Sequence, residues 1–267
     1  MKKIFVLGVF ILLFIASGNV CAQQYTGMNG LLHVPSAEMD SAGSTHVGGH
    51  ALPKYMMPDR MQFEGKKYAS SNWYLSATPL KWLEVGYSFT LMKYHKNKKK
   101  NEKVGFYSKD RYFSVRIQPL YEGRYWPAVV IGGNDVWGQR DGDSKSFYFQ
   151  NFYVAATKHF DLSVGEAGVH LAYRKWRKSF NKRWNGPVGG LTFRPSFYPP
   201  LRLITEYDGD GVNLGADCLL LKYIQLQASL MDCKYLSAGA GVRIPLKPLL
   251  SKKKKATSPS PTPSESR

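Results

Sequence analysis

Apolar and polar residues alternate with a period of two along most of the chain, from about residue 44 to residue 245. In one segment Leu83, Val85 and Tyr87 fall on one face, whereas Glu84 and Gly86 fall on the other. Such alternation is typical of a β-strand with one apolar face. The pattern predicts strands at about 44–52, 70–78, 81–93, 111–118, 125–133, 147–158, 164–175, 187–195, 201–208, 211–220, 223–232 and 235–245.

The polar face of these strands distinguishes two kinds of all-β protein. A soluble sandwich turns that face to solvent, where lysine and glutamate are abundant. Here the face is built mainly of Gly, Ser, Thr and Gln, which suits the enclosed lumen of a barrel. Its few charges are of both signs: Glu84, Arg116, Glu166, Arg174, Arg194, Glu206, Asp217 and Arg243. The sequence therefore predicts an all-β fold, an antiparallel transmembrane β-barrel of about 12 strands, in preference to a soluble sandwich.

The lengths of the connections agree with a barrel in an outer membrane. Four connections on one side are long: 53–69, 94–110, 134–146 and 176–186. The other side has tight connections, at Pro79-Leu80, 119–123 and Pro199-Pro200. Long outer loops and short periplasmic turns are typical of such barrels, and an even number of strands returns both termini to one side.

The two ends of the chain differ from its middle. Residues 1–22 have a basic start, an apolar run and small residues before Gln23, which predicts a secretory signal peptide cleaved after Ala22. An uncleaved anchor and a lipoprotein processed at Cys21 are the alternatives. We expect an N-terminal segment at 23–43, the barrel at 44–246 and a disordered basic Pro/Ser/Thr tail at 247–267.

The net charge of +18 is concentrated partly in two predicted outer loops. Their candidate polyanion-binding residues are Lys98, Lys99 and Lys100, and Lys175, Arg177, Lys178, Lys182 and Arg183. Export excludes nucleic acid as the partner, so lipopolysaccharide phosphates or an acidic polysaccharide are the better counterions. A solvated loop without a specific role is the alternative.

Other side chains indicate little reaction chemistry. Cys218 and Cys233 fall well apart on neighbouring predicted strands, so no disulfide is expected between them. His46 and His50 share a strand face but lack the further ligands of a zinc site. No Gly-x-Ser-x-Gly motif occurs, although Glu206 with Asp208 or Asp217 could in principle serve glycoside hydrolysis. We expect no metal, no cofactor and no enzymatic activity.

Two stretches resemble a known family. The first is Gly-Met-Asn-Gly-Leu-Leu-His-Val-Pro-Ser-Ala at 27–37, followed by Gly43 and the first predicted strand. The second is Leu-Arg-Leu-Ile-Thr-Glu-Tyr-Asp-Gly at 201–209, followed by Val-Asn-Leu-Gly at 212–215. Both resemble the YjbH-type family, whose members are outer-membrane β-barrel proteins tied to exopolysaccharide and capsule loci. The resemblance implies an outer-membrane location in a Gram-negative bacterium and a role in exopolysaccharide secretion or surface assembly.

The second stretch also supplies candidate lumen residues. Its Asp-Gly-Asp-Gly sequence at 208–211 favours a tight hairpin turn, which points Glu206 and Asp208 into the lumen. The candidates are Glu206, Asp208, Asn213, Asp217, Arg194 and Arg243. They could form a salt-bridge ladder or a site for sugar hydroxyls.

Three functions follow from this sequence. The first is a non-enzymatic barrel that assists exopolysaccharide or capsule secretion or surface assembly. The second is a structural or adhesion barrel without a transport role, and the third is a lipid- or glycan-modifying enzyme of the outer membrane. The expected partners are outer-membrane lipid, lipopolysaccharide, an acidic polysaccharide and other export-machinery proteins.

Overall fold

The computed structural model describes residues 23–98, 102–138, 140–141, 144–145 and 147–246. The signal peptide predicted at 1–22 and the tail predicted at 247–267 lie outside these residues, as do Lys99 and Lys100. Among the described residues, no helix has the length and apolarity to cross a bilayer.

The described chain is almost entirely β-structure. Its strands are β1 (Ser44–Leu52), β2 (Ser70–Leu80), β3 (Leu83–His95), β4 (Val104–Leu120), β5 (Ala128–Gly138), β6 (Arg140–Asp141), β7 (Ser144–Lys145), β8 (Asn151–Leu162), β9 (Gly165–Trp176), β10 (Gly186–Pro195), β11 (Leu201–Tyr207), β12 (Val212–Leu220), β13 (Ile224–Met231) and β14 (Tyr235–Pro245). Short 3₁₀ helices occupy Lys54–Met56, Asp59–Met61, Lys96–Lys98 and Ser179–Trp184.

Twelve of these strands form one closed antiparallel barrel, and β6 and β7 make a separate small hairpin in the connection after β5. The barrel closes where β1 pairs with β14, from Ser44 opposite Pro245 to Ala51 opposite Ala238. Closure leaves the sheet no unpaired edge, which is what a sheet inside a bilayer requires. The prediction of an antiparallel barrel of about 12 strands is confirmed.

The barrel wall is apolar outside and polar inside. On β13, Ile224, Leu226 and Leu230 are exposed on the outer surface, whereas Gln225 and Gln227 are buried in the lumen. Other strands repeat this arrangement, with exposed residues such as Val47, Trp73, Phe113, Ile131, Val154, Leu171, Leu203 and Val242. A soluble protein buries such side chains, so this distribution defines a wall that faces lipid.

The two ends of the barrel differ in their connections. We call the end where β1 begins and β14 ends the near end, and the opposite end, with the long loops, the far end. The predicted far-end loop 94–110 is partly strand, because Tyr94 and His95 of β3 pair with Gly105 and Val104 of β4. This lysine-rich stretch lacks the alternation of the membrane-facing strands, so periodicity alone placed the start of β4 too late.

The remaining cysteines do not form a disulfide. Cys218 lies within β12, where its Cα partners are Leu201 and Leu226, and Cys233 lies in the turn between β13 and β14. Both thiols are free, as the sequence predicts.

Candidate functional site: a plugged lumen

Residues 23–40 fill the lumen of the barrel, and we call this segment the plug. Residues 23–38 are all buried, although they form no helix and only isolated β-bridges. The plug leaves the near end at Asp40 and continues through residues 41–43 into β1. Its main chain contacts opposite walls of the barrel. The Asn72 side chain of β2 donates to the Tyr25 carbonyl, and the Leu32 N–H donates to the Glu206 carboxylate of β11.

Glycines in the wall make room for apolar side chains of the plug. A methyl group placed on Gly86 would lie 2.5 Å from Met28 Sδ. On Gly190 it would lie 2.6 Å from Leu31 Cδ1, and on Gly215 it would lie 2.9 Å from a Leu32 methyl. Each of the three plug side chains is at most 3% exposed, so the wall is shaped to this segment.

The far half of the plug is held mainly by Glu206. Its carboxylate accepts hydrogen bonds from the backbone N–H groups of Leu32, His33 and Val34, at 2.8 to 3.1 Å. Asn213 also donates to Glu206, at 2.8 Å. One carboxyl side chain therefore satisfies three consecutive main-chain donors that a non-helical segment would otherwise leave unpaired.

Asp208 completes this far anchor through the side chain of His33. His33 Nδ1 lies 2.8 Å from Asp208 Oδ2, and the Tyr55 hydroxyl donates to Oδ1 at 3.2 Å. Burial opposes ionisation, but the His33 hydrogen bond and nearby Arg174 hold the pKa of Asp208 below its usual range. Burial and Arg174 lower the pKa of His33 to about 4. At neutral pH the pair is therefore a neutral imidazole donating to a carboxylate.

Three buried arginines bind main-chain carbonyl groups of the plug. Arg116 donates to the carbonyls of Asn29, Ser36 and Glu38. Arg174 donates to the His33 carbonyl at 2.7 Å, and Arg202 to that of Gly30 at 2.9 Å. The wall thus recognises both polar groups of the plug backbone, N–H through carboxylates and C=O through guanidinium groups.

Acidic side chains fix the near half of the plug. Glu38 accepts from Arg202 at 2.6 Å and from Arg194 at 3.2 Å. Asp40 is paired with Arg243 and lies 2.6 Å from His46 Nε2. Burial opposes ionisation of both carboxyls, but these hydrogen-bond partners hold the pKa of Glu38 and of Asp40 below the usual range. The plug is thereby anchored through charge at its near end.

Loop side chains cover the far mouth of the lumen. Tyr55, Met57, Phe149 and Trp184 are buried in the same apolar cluster as plug residues such as Leu31. The His33 ring packs edge-on against Trp184, with the ring centroids 5.0 Å apart. We call this cluster the far cap, and it rests directly on the plug.

The predicted lumen residues lie in the lumen, but in separate groups. Glu206, Asp208 and Asn213 come together at the far anchor, whereas Asp217 pairs with Arg202 at 3.0 Å. Arg194 and Arg243 lie near the opposite end, so the predicted ladder from Glu206 and Asp208 to these two arginines is wrong. Sequence reasoning also omitted Arg116, Arg174, Arg202 and His33 from the candidates, although their positions on a polar face or in a family motif were visible.

The predicted polyanion-binding residues lie in different environments. Lys175 and Lys182 are exposed. Arg177 bonds to Gln150 Oε1 at 2.8 Å and lies, like Lys178, over the Phe147 ring. Arg183 packs 4.1 Å from the Trp184 ring centroid and pairs with Asp210 at 3.0 Å. The structure describes only the backbone of Lys98. Polyanion binding by this set stays a prediction.

Two further polar features of the lumen are a buried histidine, His50, and a cavity at the near end. The imidazole of His50 stacks on Tyr74, with the ring centroids 5.6 Å apart. No group of three His, Cys, Asp or Glu side chains that could hold a metal occurs within the described residues. A cavity of about 220 Å³ lies between the plug and the near ends of the strands, lined in part by Glu38, Glu122, His159 and Arg194.

These features define a class of protein, the plugged transmembrane β-barrel. The family model described as "Exopolysaccharide biosynthesis protein YbjH" matches residues 22–267, and the chain belongs to this YjbH family. No relative matches among the curated proteins. Similar solved structures include the outer membrane phospholipase A from Escherichia coli, at 13% identity and a TM-score of 0.34, covering 79% of this chain and 98% of that one.

Proposed function

We propose that this protein is a non-enzymatic outer-membrane barrel that assists the secretion or surface assembly of an exopolysaccharide. The observation that carries the proposal is how the lumen wall binds the plug. Glu206, Arg116 and Arg202 bind main-chain N–H and C=O groups of an irregular chain. Hydroxyl and carboxylate groups of a glycan offer the same donors and acceptors, so these side chains suit a polar polymer. The family supports the polysaccharide as that polymer.

The plug fills the lumen from the near end to the far cap, so passage of a glycan requires the plug to withdraw. The anchors of the plug favour a reversible withdrawal, because most of them are charged groups. Water that enters an emptied lumen can hydrate Arg116, Arg174 and Glu206, whereas exposed apolar anchors would gain no such compensation. Burial of the apolar plug side chains Met28, Leu31 and Leu32 favours the closed state, because withdrawal would expose them to water.

Conductance in planar bilayers tests the withdrawal step. Wild-type protein is expected to stay mostly closed, and a variant lacking residues 23–40 is expected to conduct ions steadily. Glu206→Gln, which removes one acceptor from the far anchor, should open intermittently. A steadily open wild-type pore, or a folded deletion variant that stays closed, would contradict this step.

Surface carbohydrate tests the role itself. Cells without the gene should secrete less exopolysaccharide, and wild-type protein should restore it. Unchanged capsule and matrix carbohydrate would remove the proposal and favour a structural or adhesion barrel. Loss of a hydrolytic activity in Glu206→Ala or Asp208→Ala would favour the enzyme alternative instead.

A further inference from the structure

Basic side chains are paired with aromatic rings around the far cap. The charged group lies 5.0 to 5.9 Å from the ring centroid in each of three such pairs. We call these six residues the far-cap arc: Lys54 with Tyr235, Arg60 with Tyr148, and Arg177 with Phe147. All three cations are exposed and the two tyrosines are half-buried, whereas Phe147 is buried. The arc therefore presents both positive charge and aromatic surface at the far end.

The arc extends across the mouth of the lumen. Tyr235 begins β14, whereas Phe147 and Arg177 adjoin the far ends of β8 and β9. Because β14 and β9 are five strands apart in a ring of 12, these residues lie on nearly opposite sides of the mouth. Strands spaced by about 4.8 Å and tilted by about 40° make a 12-stranded barrel roughly 24 Å wide. A ligand that contacts the whole arc is therefore a chain of several units.

Carboxylates beside the arc are bound by other cations. Asp59 accepts from Lys67 at 2.5 Å, and Asp210 accepts from Arg183 at 3.0 Å. The three cations of the arc form no ion pair with any residue that the structure describes. Arg183, a polyanion candidate from the sequence, is thus already paired, whereas the arc keeps its positive charge toward solvent.

The chemistry of the arc suits an acidic sugar chain. The guanidinium groups of Arg60 and Arg177 can each bind both oxygens of a carboxylate, and Lys54 adds a point charge. The apolar C–H face of a sugar ring packs against aromatic rings, which the half-buried Tyr148 and Tyr235 present. A charged lipid would approach from the membrane plane, whereas the arc lies across the mouth. A polymer outside the membrane fits this position better.

We propose that the far-cap arc binds an acidic polysaccharide, whose sugar rings stack on the tyrosines while its carboxylates pair with Lys54, Arg60 and Arg177. The inference rests on the proposed function and names the class of polymer that this function handles. The far cap packs on the plug, so a polymer that leaves the lumen meets the arc at the exit. The arc adds Lys54 and Arg60 to the sequence candidates and leaves out Arg183.

Binding of defined polymers to the purified full-length protein tests this proposal. The probe is oligogalacturonate, and its fully methyl-esterified form has the same sugar rings without the charges. Polyglutamate of equal length has the same charges without sugar rings. Wild-type protein should bind oligogalacturonate most tightly of the three. Rising salt should weaken this binding, because the charges of the arc are exposed.

Two variants separate the charges of the arc from its rings. Replacement of the three cations (Lys54→Gln, Arg60→Gln, Arg177→Gln) should lower the affinity for oligogalacturonate by roughly thirtyfold, at about threefold per charge removed. Tyr235→Leu should weaken the binding of oligogalacturonate and leave that of polyglutamate nearly unchanged. Folded mobility in cold detergent on gels checks that each variant has folded.

A matched control removes three exposed cations elsewhere at the far end, with Lys66→Gln, Lys96→Gln and Lys103→Gln. It lowers the net charge equally and should keep most of the affinity. Equal loss in this control, or equal binding of the methyl ester or of polyglutamate by wild type, would overturn the proposal. Failure of wild type to bind oligogalacturonate would also overturn it and leave the secretion test unaffected. Unchanged exopolysaccharide in cells without the gene would instead remove the proposed function.

Discussion

At the scale of single residues, the lumen resembles the interior of a polar binding site more than a hydrophobic core. Arg116, Arg174 and Arg202 are at most 2% exposed, and carbonyl or carboxylate oxygens of the plug and wall lie around them. Buried ions of this kind contribute little net stability, because desolvation offsets their attraction. They do penalise every misplaced register of the plug, since each shift leaves a charge unpaired. The ion pairs therefore specify the position of the plug.

Acidification should loosen the far anchor. The pKa of His33 is lowered to about 4 by burial and by Arg174, whereas a hydrated histidine has a pKa near 6.5. The released plug therefore binds a proton more readily, so closure weakens as the pH falls from 6.5 toward 4. Between pH 7 and pH 5 the contribution of His33 to this change is about 2 kcal/mol. In single-channel recordings, acidification from pH 7 to pH 5 should therefore raise the opening frequency of wild type more than that of a variant whose residue 33 does not titrate.

Asparagine at this position provides the control. His33→Asn keeps an N–H donor for Asp208 but does not titrate, so the contribution of His33 to the pH response should be absent from this variant. Glu38, Asp40 and Asp208 have lowered pKa values and stay ionised over this range. A pH response of the same size in His33→Asn as in wild type would assign the effect to another group.

At the scale of elements, the plug and the wall fit by size. Beyond its own and neighbouring residues, Gly86 has only Met28 Sδ close to the position of an added methyl, with Ser76 Cβ and the Leu75 carbonyl at 3.6 Å or more. Gly86→Val should therefore destabilise the protein by about 1–3 kcal/mol through overpacking against the plug. Adding Met28→Ala should recover much of that loss. Urea unfolding followed by tryptophan fluorescence measures both changes.

The matched control combines Gly86→Val with a substitution of a plug residue that packs against a different wall glycine. Leu31 packs at Gly190, so Leu31→Ala should not rescue Gly86→Val. Additive free energies for Gly86→Val with Met28→Ala would show that the two positions are not coupled, and would contradict the packing described for the plug.

The strands could be predicted from sequence and the plug could not, for a physical reason. Segments such as 223–232 face lipid on one side and the lumen on the other, so their two faces differ in every second residue. The plug does not have two faces in different environments, because the barrel wall surrounds it on all sides. Its sequence therefore shows no periodic alternation of apolar and polar residues. Its anchors also connect distant residues, as in the bond from Leu32 N–H to Glu206, across 174 positions. The sequence did indicate that Glu206 and Asp208 face the lumen, but not that residues 32–34 would meet them there.

At the scale of the whole molecule, the wall and the plug should be separable. The barrel closes through backbone pairs between β1 and β14, and these pairs involve no plug residue. We therefore expect the variant lacking residues 23–40 to keep its folded mobility in cold detergent on gels. It should convert to the unfolded band at a lower temperature than wild type. Loss of the folded band without heating would show that the wall needs the plug to close.

The covalent link between the plug and β1 sets how opening would behave. Residues 41–43 join the two directly at the near end, so a withdrawn plug stays tethered to the rim. Fully extended, its chain reaches at most about 60 Å. Because the 18-residue plug stays attached to β1, it remains close to the near end of the lumen, at an effective concentration of roughly millimolar. Opening and resealing would then be unimolecular, proceeding at the same rates in a sparse membrane as in a crowded one.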